Sequence, residues 1–350
     1  MELQSIWQDY GLDELEAGIQ SLFPEYSISL DTLFQTVLEG DIIGAFAYLI
    51  QGSAGGVAAQ LGGMRRLLVW LLVLGLVSAL LTHFAEIFDK HQIADLSFYY
   101  VYLLFSVVLL KCFTQVVEIA EGAIEGVVLF VRLLMPTYLM TVGAATGTAT
   151  VSAYSQLLVL IIYGVEKLLL GCVIPLIYSF VLLTIINSIW AEEKLLLIME
   201  LVEKAVGWIL KASMGVVTGV SVFQSVLTPV IDSAKKTVLQ KSVSVIPGIG
   251  NAADGVVELV TGSAMVIKSS VGIVLLILLL VLCAAPLLKI MLTAMLLKGA
   301  AAFMGVVSDK RITGCANRVG NGVMLLFRTA GTAMLLFLIT IAVVAATDGR

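Results

Sequence analysis

Four stretches of this chain, residues 67–84, 168–190, 271–297 and 323–346, are apolar over roughly the length of a membrane crossing, and this constrains the fold more tightly than any other feature. Lipid offers the backbone no hydrogen-bond partner. A segment in the hydrocarbon core, about 30 Å thick, must therefore satisfy its own amides, as about 20 residues of α-helix do. Composition agrees: 60% of the 350 residues are apolar and 13% charged, against roughly 45–50% and about 25% in soluble domains. The expected fold is all-α, a polytopic integral membrane helix bundle of about six to eight spans.

The distribution of charge says more than the net value of −5. Residues 1–64 hold acids such as Glu2, Asp9, Asp13, Glu25 and Asp41 and neither Lys nor Arg. A segment without basic residues is free to be translocated, so an external N-terminus is expected. Met1-Glu2 opens an acidic polar stretch instead of a basic leader, so either the first helix directs insertion or a leader has been removed. The densest basic loop, with Lys298, Lys310, Arg311 and Arg318, reads as cytoplasmic and puts the C-terminus outside.

Six regions follow. Residues 1–64 form an acidic amphipathic or interfacial region, and 65–123 hold the first membrane helices, with spans at 67–84 and 98–113. Residues 124–190 are a first Pro/small-residue membrane unit and 191–235 an amphipathic surface helix followed by an uncertain span. Residues 236–301 are a second unit, and 302–350 the basic loop and last helix. Within a helix at 116–138, Glu118, Glu121 and Glu125 share one face, which Arg132 continues. Such acids are either solvated at the membrane surface or form a polar seam inside the bundle. The stretch 154–190 is too long for one span and reads as a half-helix to residue 165 and a span from 168 kinked near Pro175. At 192–211 the polar side is Glu193, Glu200, Lys204, Gly207 and Lys211, opposite Leu195, Ile198, Val202, Ala205 and Ile209.

Shifting the chain by 111 positions superposes the two units without a gap: Pro136 meets Pro247, Thr150 meets Thr261, and Cys172-x-x-Pro175 meets Cys283-x-x-Pro286. With only six prolines in the chain, two matched pairs argue for duplication, common in membrane transport folds. Chance similarity between two apolar sequences is the other reading. Candidate pore or packing positions are Pro136, Gly143, Thr146, Gly147, Thr148, Thr150 and Pro175 in the first unit. In the second they are Pro247, Gly248, Gly250, Asp254, Gly262 and Pro286. Small residues let helices approach closely, and hydroxyls re-satisfy a broken backbone. Glu166, Lys167 and Lys289 are candidate buried charges, because ionisable groups at membrane depth are expensive and face protein or water.

Residues with the spacing that chemistry demands are absent. His83 and His91 lack HExxH spacing, and Gly248-Ile249-Gly250 is followed by no GK[ST]. The four cysteines are scattered without CxxC pairing and read as small apolar residues. No catalytic residue, cofactor or metal is expected, and no nucleic-acid partner.

Met135-Pro136, the Gly/Thr/Ala stretch after it, Ile246-Pro247-Gly-Ile-Gly250 with Asp254-Gly255 and Gly262-Ser263, and Val271-Gly-Ile-Val274 with Pro286-Leu-Leu-Lys289 together resemble the stage III sporulation protein AE family of endospore-forming bacteria. Asp309-Lys-Arg-Ile312, Cys315 and Asn321 also fit, and the resemblance runs from about residue 20 onward. It implies a multi-pass subunit of the secretion-like channel complex that joins mother cell and forespore, required for late forespore development. Its implied partners are an ATPase, ring-forming and small membrane subunits, and the bilayer. The residues alone leave two other readings open: a self-sufficient secondary transporter or permease for a small solute, and a scaffold recruiting partners through residues 1–40.

Overall fold

The computed structural model describes residues 69–80, 91–146, 163–189, 194–243, 283–306 and 308–347, with single positions among 32–48, 66, 160–161 and 277–280. Side chains of helix residues 91–97, 131, 133–146, 220–243 and 340–347 are outside the description. The described residues form helices and turns without a strand. In chain order the helices are α1 (Val69–Leu80), α2 (His91–Thr146), α3 (Tyr163–Asn187), α4 (Leu196–Val243), α5 (Cys283–Met304) and α6 (Lys310–Thr347). Among the described residues four segments are long and apolar enough to cross a membrane: Phe98–Phe130, Tyr163–Asn187, Cys283–Met304 and Lys310–Ile339. The chain is a helical membrane bundle, and the expected total of six to eight spans extends to stretches outside the described residues.

The expected spans at 98–113 and 116–138 are a single helix. Only Thr114 and Gln115 separate them, neither breaks a helix, and α2 runs on for 56 residues. Its buried residues, Phe98, Tyr102, Phe105, Leu109, Cys112, Val116, Ala120, Ile124 and Val127, recur every three or four positions and make one seam. At 1.5 Å per residue its 33-residue apolar part is about 50 Å long, well beyond the hydrocarbon core. Glu118 lies about 30 Å from Phe98 on that rise, where lipid gives way to water. Glu118 and Glu125 are exposed and Glu121 half-buried, so the polar-seam reading fails.

The break expected between residues 165 and 168 is also absent. Helix α3 is continuous, and Leu169–Val173 forms a π-helical turn just before Pro175. The Ile174 N–H donates to the Leu169 carbonyl, five residues back. Proline has no N–H to donate to the preceding turn, and a wide turn accommodates that loss without ending the helix.

Helix α6 is the centre of the bundle. It packs against α2, α3 and α4, and 56% of its apolar window is buried against 39–44% for the other three spans. Small residues bring its neighbours close: a Cβ on Gly322 would stand 2.5 Å from Val181 Cγ2, and Gly320 and Gly331 lie against Lys298 and Leu287. The Gly320–Lys298 and Gly331–Leu287 pairs make α6 antiparallel to α5, and the Gly322–Val181 pair, with Cys315 and Ile185 meeting at the Tyr102 hydroxyl, makes it antiparallel to α3. The two CxxP helices therefore run in the same direction, and α4 leaves from the end where α3 finishes. Matched positions of the two units nevertheless sit in unlike surroundings. Cys172 is exposed and Cys283 buried, Leu168 exposed and Leu279 buried, Ile177 buried and Leu288 exposed.

Helix α4 is more than a surface helix. Met199, Val202, Val206, Leu210, Ser213 and Val217 are buried at a spacing of three and four along α3 and α6. Ile198, expected on the apolar face, is 49% exposed, and Glu200, Lys204 and Lys211 are exposed as expected. Every side chain on the period-3.6 pattern is carried round by a fraction of a turn, which moves the buried centre to Val206.

Candidate functional site

The polar groups that link helices gather at the end where α3 finishes and α4 and α6 begin. The last turn of α3 tightens: the Ser188 N–H donates to the Thr184 carbonyl and the Ile189 N–H to that of Ile186. The Ile185 carbonyl between them is satisfied from outside the helix, by the Tyr102 hydroxyl of α2 at 2.6 Å. Cys315 Sγ of α6 lies 3.5 Å from the same hydroxyl, and Tyr102 is 1% exposed. One side chain thus joins three helices where water is excluded, and such a bond fixes helix register as well as adding stability.

Two caps complete this junction. Asn187 Oδ1 accepts the Leu195 N–H at 2.9 Å and ties the end of α3 to the start of α4. The Asn187 amide nitrogen is buried without a partner among the described residues. Asp309 caps α6, accepting the Arg311 backbone N–H at 2.8 Å, as carboxylates at a helix N-terminus do. The Arg311 guanidinium reaches back to Asp309 Oδ2 at 3.3 Å and stacks over the Phe98 ring, 3.7 Å from its centroid. Sequence reading passed over Tyr102, Phe98 and Asn187. The only signal was an uncommon Tyr or Asn within an apolar run.

Halfway along, Thr114 and Tyr178 share a hydrogen bond of 2.9 Å beside the Phe113–Tyr178 edge contact. At the far end Arg132 of α2 pairs with Glu166 of α3 at 2.8 Å. Five further hydroxyls turn inward on their own helices: Thr184, Ser188, Ser213, Thr293 and Thr329 each donate to the carbonyl four residues back. These bonds satisfy the hydroxyls from the backbone of their own helices inside an apolar bundle.

The expected site residues are only partly brought together. Pro136, Gly143 and Thr146 lie on α2, their side chains outside the description. Gly147, Thr148, Thr150, Pro247, Gly248, Gly250, Asp254 and Gly262 lie outside the described residues. Pro175 follows the π turn and is exposed, and Pro286 is half-buried in the first turn of α5. Of the three charges expected to be buried, Lys289 is 6% exposed and Glu166 half-buried. Lys167 is exposed, its ammonium 5.7 Å over the Tyr163 ring; being one position on from Glu166, it turns off the face that meets α2. The stripe of small residues that packs helices lies on α6, at Cys315, Ala316, Gly322, Ala330 and Ala333, as well as any on 141–155. The signal available was the recurrence of Gly, Ala and Cys within the apolar residues of this helix.

Among the described residues no group of three or more His, Cys, Asp or Glu could hold a metal ion. Cys112, Cys283 and Cys315 are buried thiols and Cys172 an exposed one. The arrangement holds helices in register and presents charged ends.

The family model described as stage III sporulation protein AE matches residues 28–348. The stage III sporulation protein AE of Bacillus subtilis (strain 168) is 22% identical over 281 residues, covering 80% of this chain and 70% of that protein. No solved structure matches.

Proposed function

We propose that this chain, which belongs to the stage III sporulation protein AE family, is a non-enzymatic membrane subunit of the secretion-like channel complex between mother cell and forespore. The observation that carries the reading is the family match over nearly the whole length of a helical bundle whose described residues include four helices long and apolar enough to cross a membrane. A sporulation role follows from the family. The channel complex, its ATPase, ring-forming and small membrane subunits, and a place in the mother-cell membrane around the forespore are the finer part of the proposal.

In this role the described bundle is the frame, with helix register held by Tyr102, Asn187 and the Arg132–Glu166 pair. The Pro/small-residue units, including Gly147 and Gly250, supply the inner surface. A self-sufficient transporter would use its two units as equivalent halves around one site. The unlike surroundings of Cys172 and Cys283 weigh against that equivalence.

Replacing Gly147 or Gly250 with Leu in the sporulating host tests the reading. Spore yield should fall by an order of magnitude or more, with wild-type amounts of protein in the membrane fraction. Normal yield from both variants would overturn it. Gradient-driven uptake of a solute by the purified chain alone in liposomes would favour the transporter.

A further inference from the structure

A span that faces lipid presents apolar side chains to it, and α5 does so: its exposed residues between 283 and 303 are Ala284, Leu288, Met295, Leu296, Ala302 and Phe303. Two helices depart from this. The outer strip of α6 carries Asn317 and Arg328, both exposed, with Asn321 and Thr332 half-buried between and beyond them. The outer strip of α2 carries Lys111, Glu118 and Glu125, all exposed. Both strips lie within segments apolar enough to cross the membrane. Amides and ionisable groups in such segments seek protein partners or water. Among the described residues neither Glu118 nor Arg328 has an ion pair or a hydrogen bond.

The two strips match in depth. Helices α2 and α6 run in the same direction, since Arg311 stacks on Phe98, Cys315 meets Tyr102, and a Cβ on Gly322 would stand 3.7 Å from Phe113 Cε2. Glu118 is five residues past Phe113 and Arg328 six past Gly322, about 8 and 9 Å along the two axes. The two opposite charges therefore stand at one level. Lys111, two residues before Phe113, comes level with Gly320, where the α6 strip bears the neutral amides of Asn317 and Asn321. Acid thus matches base, and the one base of the α2 strip matches amides.

Within one chain these partners turn away from each other. At about 100° per residue, Glu118 is carried about 140° round α2 from Phe113, and Arg328 about 120° round α6 from Gly322. Copies of one chain inserted in one membrane share a depth scale, so a second copy can bring the two strips together.

We propose that the α6 strip of one copy docks on the α2 strip of a second copy, pairing Arg328 with Glu118 and setting Lys111 against the Asn317 and Asn321 amides. The surfaces differ, so the contact is head-to-tail and each copy keeps both halves free for further neighbours, as a ring about the membrane normal requires. The proposal stands on the membrane-spanning bundle and needs no channel complex.

The test cross-links the full chain in native membranes with a short bis-maleimide, in a Cys172→Ser background. The Glu118→Cys/Arg328→Cys variant should give a ladder of dimers, trimers and larger species. Either substitution alone should give single chains, and the two single variants expressed together should give dimers. In native-lipid particles, Arg328→Glu or Glu118→Arg should lower the oligomeric fraction roughly tenfold, because like charges then face each other across the contact. Combining the two exchanges should restore it, and Glu200→Gln on α4 should leave it unchanged. No ladder from the double cysteine variant would overturn the proposal. Dimers from either cysteine alone would overturn it in favour of a symmetric contact, and failure of the double exchange to restore assembly would overturn the pairing. Wild-type chain present only as single copies in native-lipid particles would overturn it without any variant, and is the outcome if another occupant covers the strips. Should a variant not reach the membrane, that wild-type mass decides.

Discussion

Gly322 shows how much one residue on a central helix can decide. A Cβ there would meet Val181 Cγ2 at 2.5 Å, with Phe180 and Phe113 behind it at 3.5 and 3.7 Å. Three helices converge on one missing side chain. Gly322→Leu should therefore destabilise the bundle by about 1–3 kcal/mol, the usual cost of overfilling a packed core, measured by unfolding in detergent. Val181→Ala opens space at the same point, and combining the two should recover part of the loss. A double variant no more stable than Gly322→Leu alone would place the strain elsewhere. At this scale the sequence was partly legible. Lys289 is buried as its position inside an apolar run required, but Lys167 is not. Adjacent positions on a helix point about 100° apart, and which of them meets a neighbour depends on how that neighbour is placed.

Among the elements, α2 and α3 are coupled at three levels: Tyr102 to Ile185, Thr114 to Tyr178, and Arg132 to Glu166. The last pair is partly exposed, 46% and 22%, so its contribution is modest, up to about 1 kcal/mol after screening. Exchanging the partners provides the check. Arg132→Glu or Glu166→Arg alone sets like charges against each other and should lower stability, whereas the double exchange should return it close to wild type in a double-variant cycle. Failure of the double exchange to recover would mean that the pair is incidental. Helix existence and type could be read from apolar runs, but continuity could not. The joint at Thr114-Gln115 and the π turn before Pro175 depend on backbone hydrogen bonds that leave little trace in residue type.

For the whole molecule, the shared direction of the two CxxP helices fixes relations that hydropathy leaves open. With Lys310 at one end and Lys167 at the other, a chain oriented by its basic loop should expose the two to opposite sides of the membrane. In a background with Cys172 replaced by Ser, Lys167→Cys should react with an impermeant maleimide in intact cells, and Lys310→Cys only after permeabilisation. The reverse pattern would invert the topology while leaving the bundle intact. Labelling of both from one side would contradict the helix directions themselves.

The sequence by itself determined that this chain is an all-helical membrane bundle and to which family it belongs. Both rest on local quantities: runs of apolar residues long enough to cross lipid, and motif residues in fixed order. Only the tertiary structure decided that α6 is the hub, that the matched CxxP helices run parallel in unlike surroundings, and that Glu118 and Arg328 stand at one level. In a uniformly apolar sequence, many helix faces are equally able to be buried. Hydrophobicity then carries little information about partners. Close approach at Gly322 and a few polar links such as Tyr102 to Ile185 choose among them, and these are relations between residues far apart in the chain.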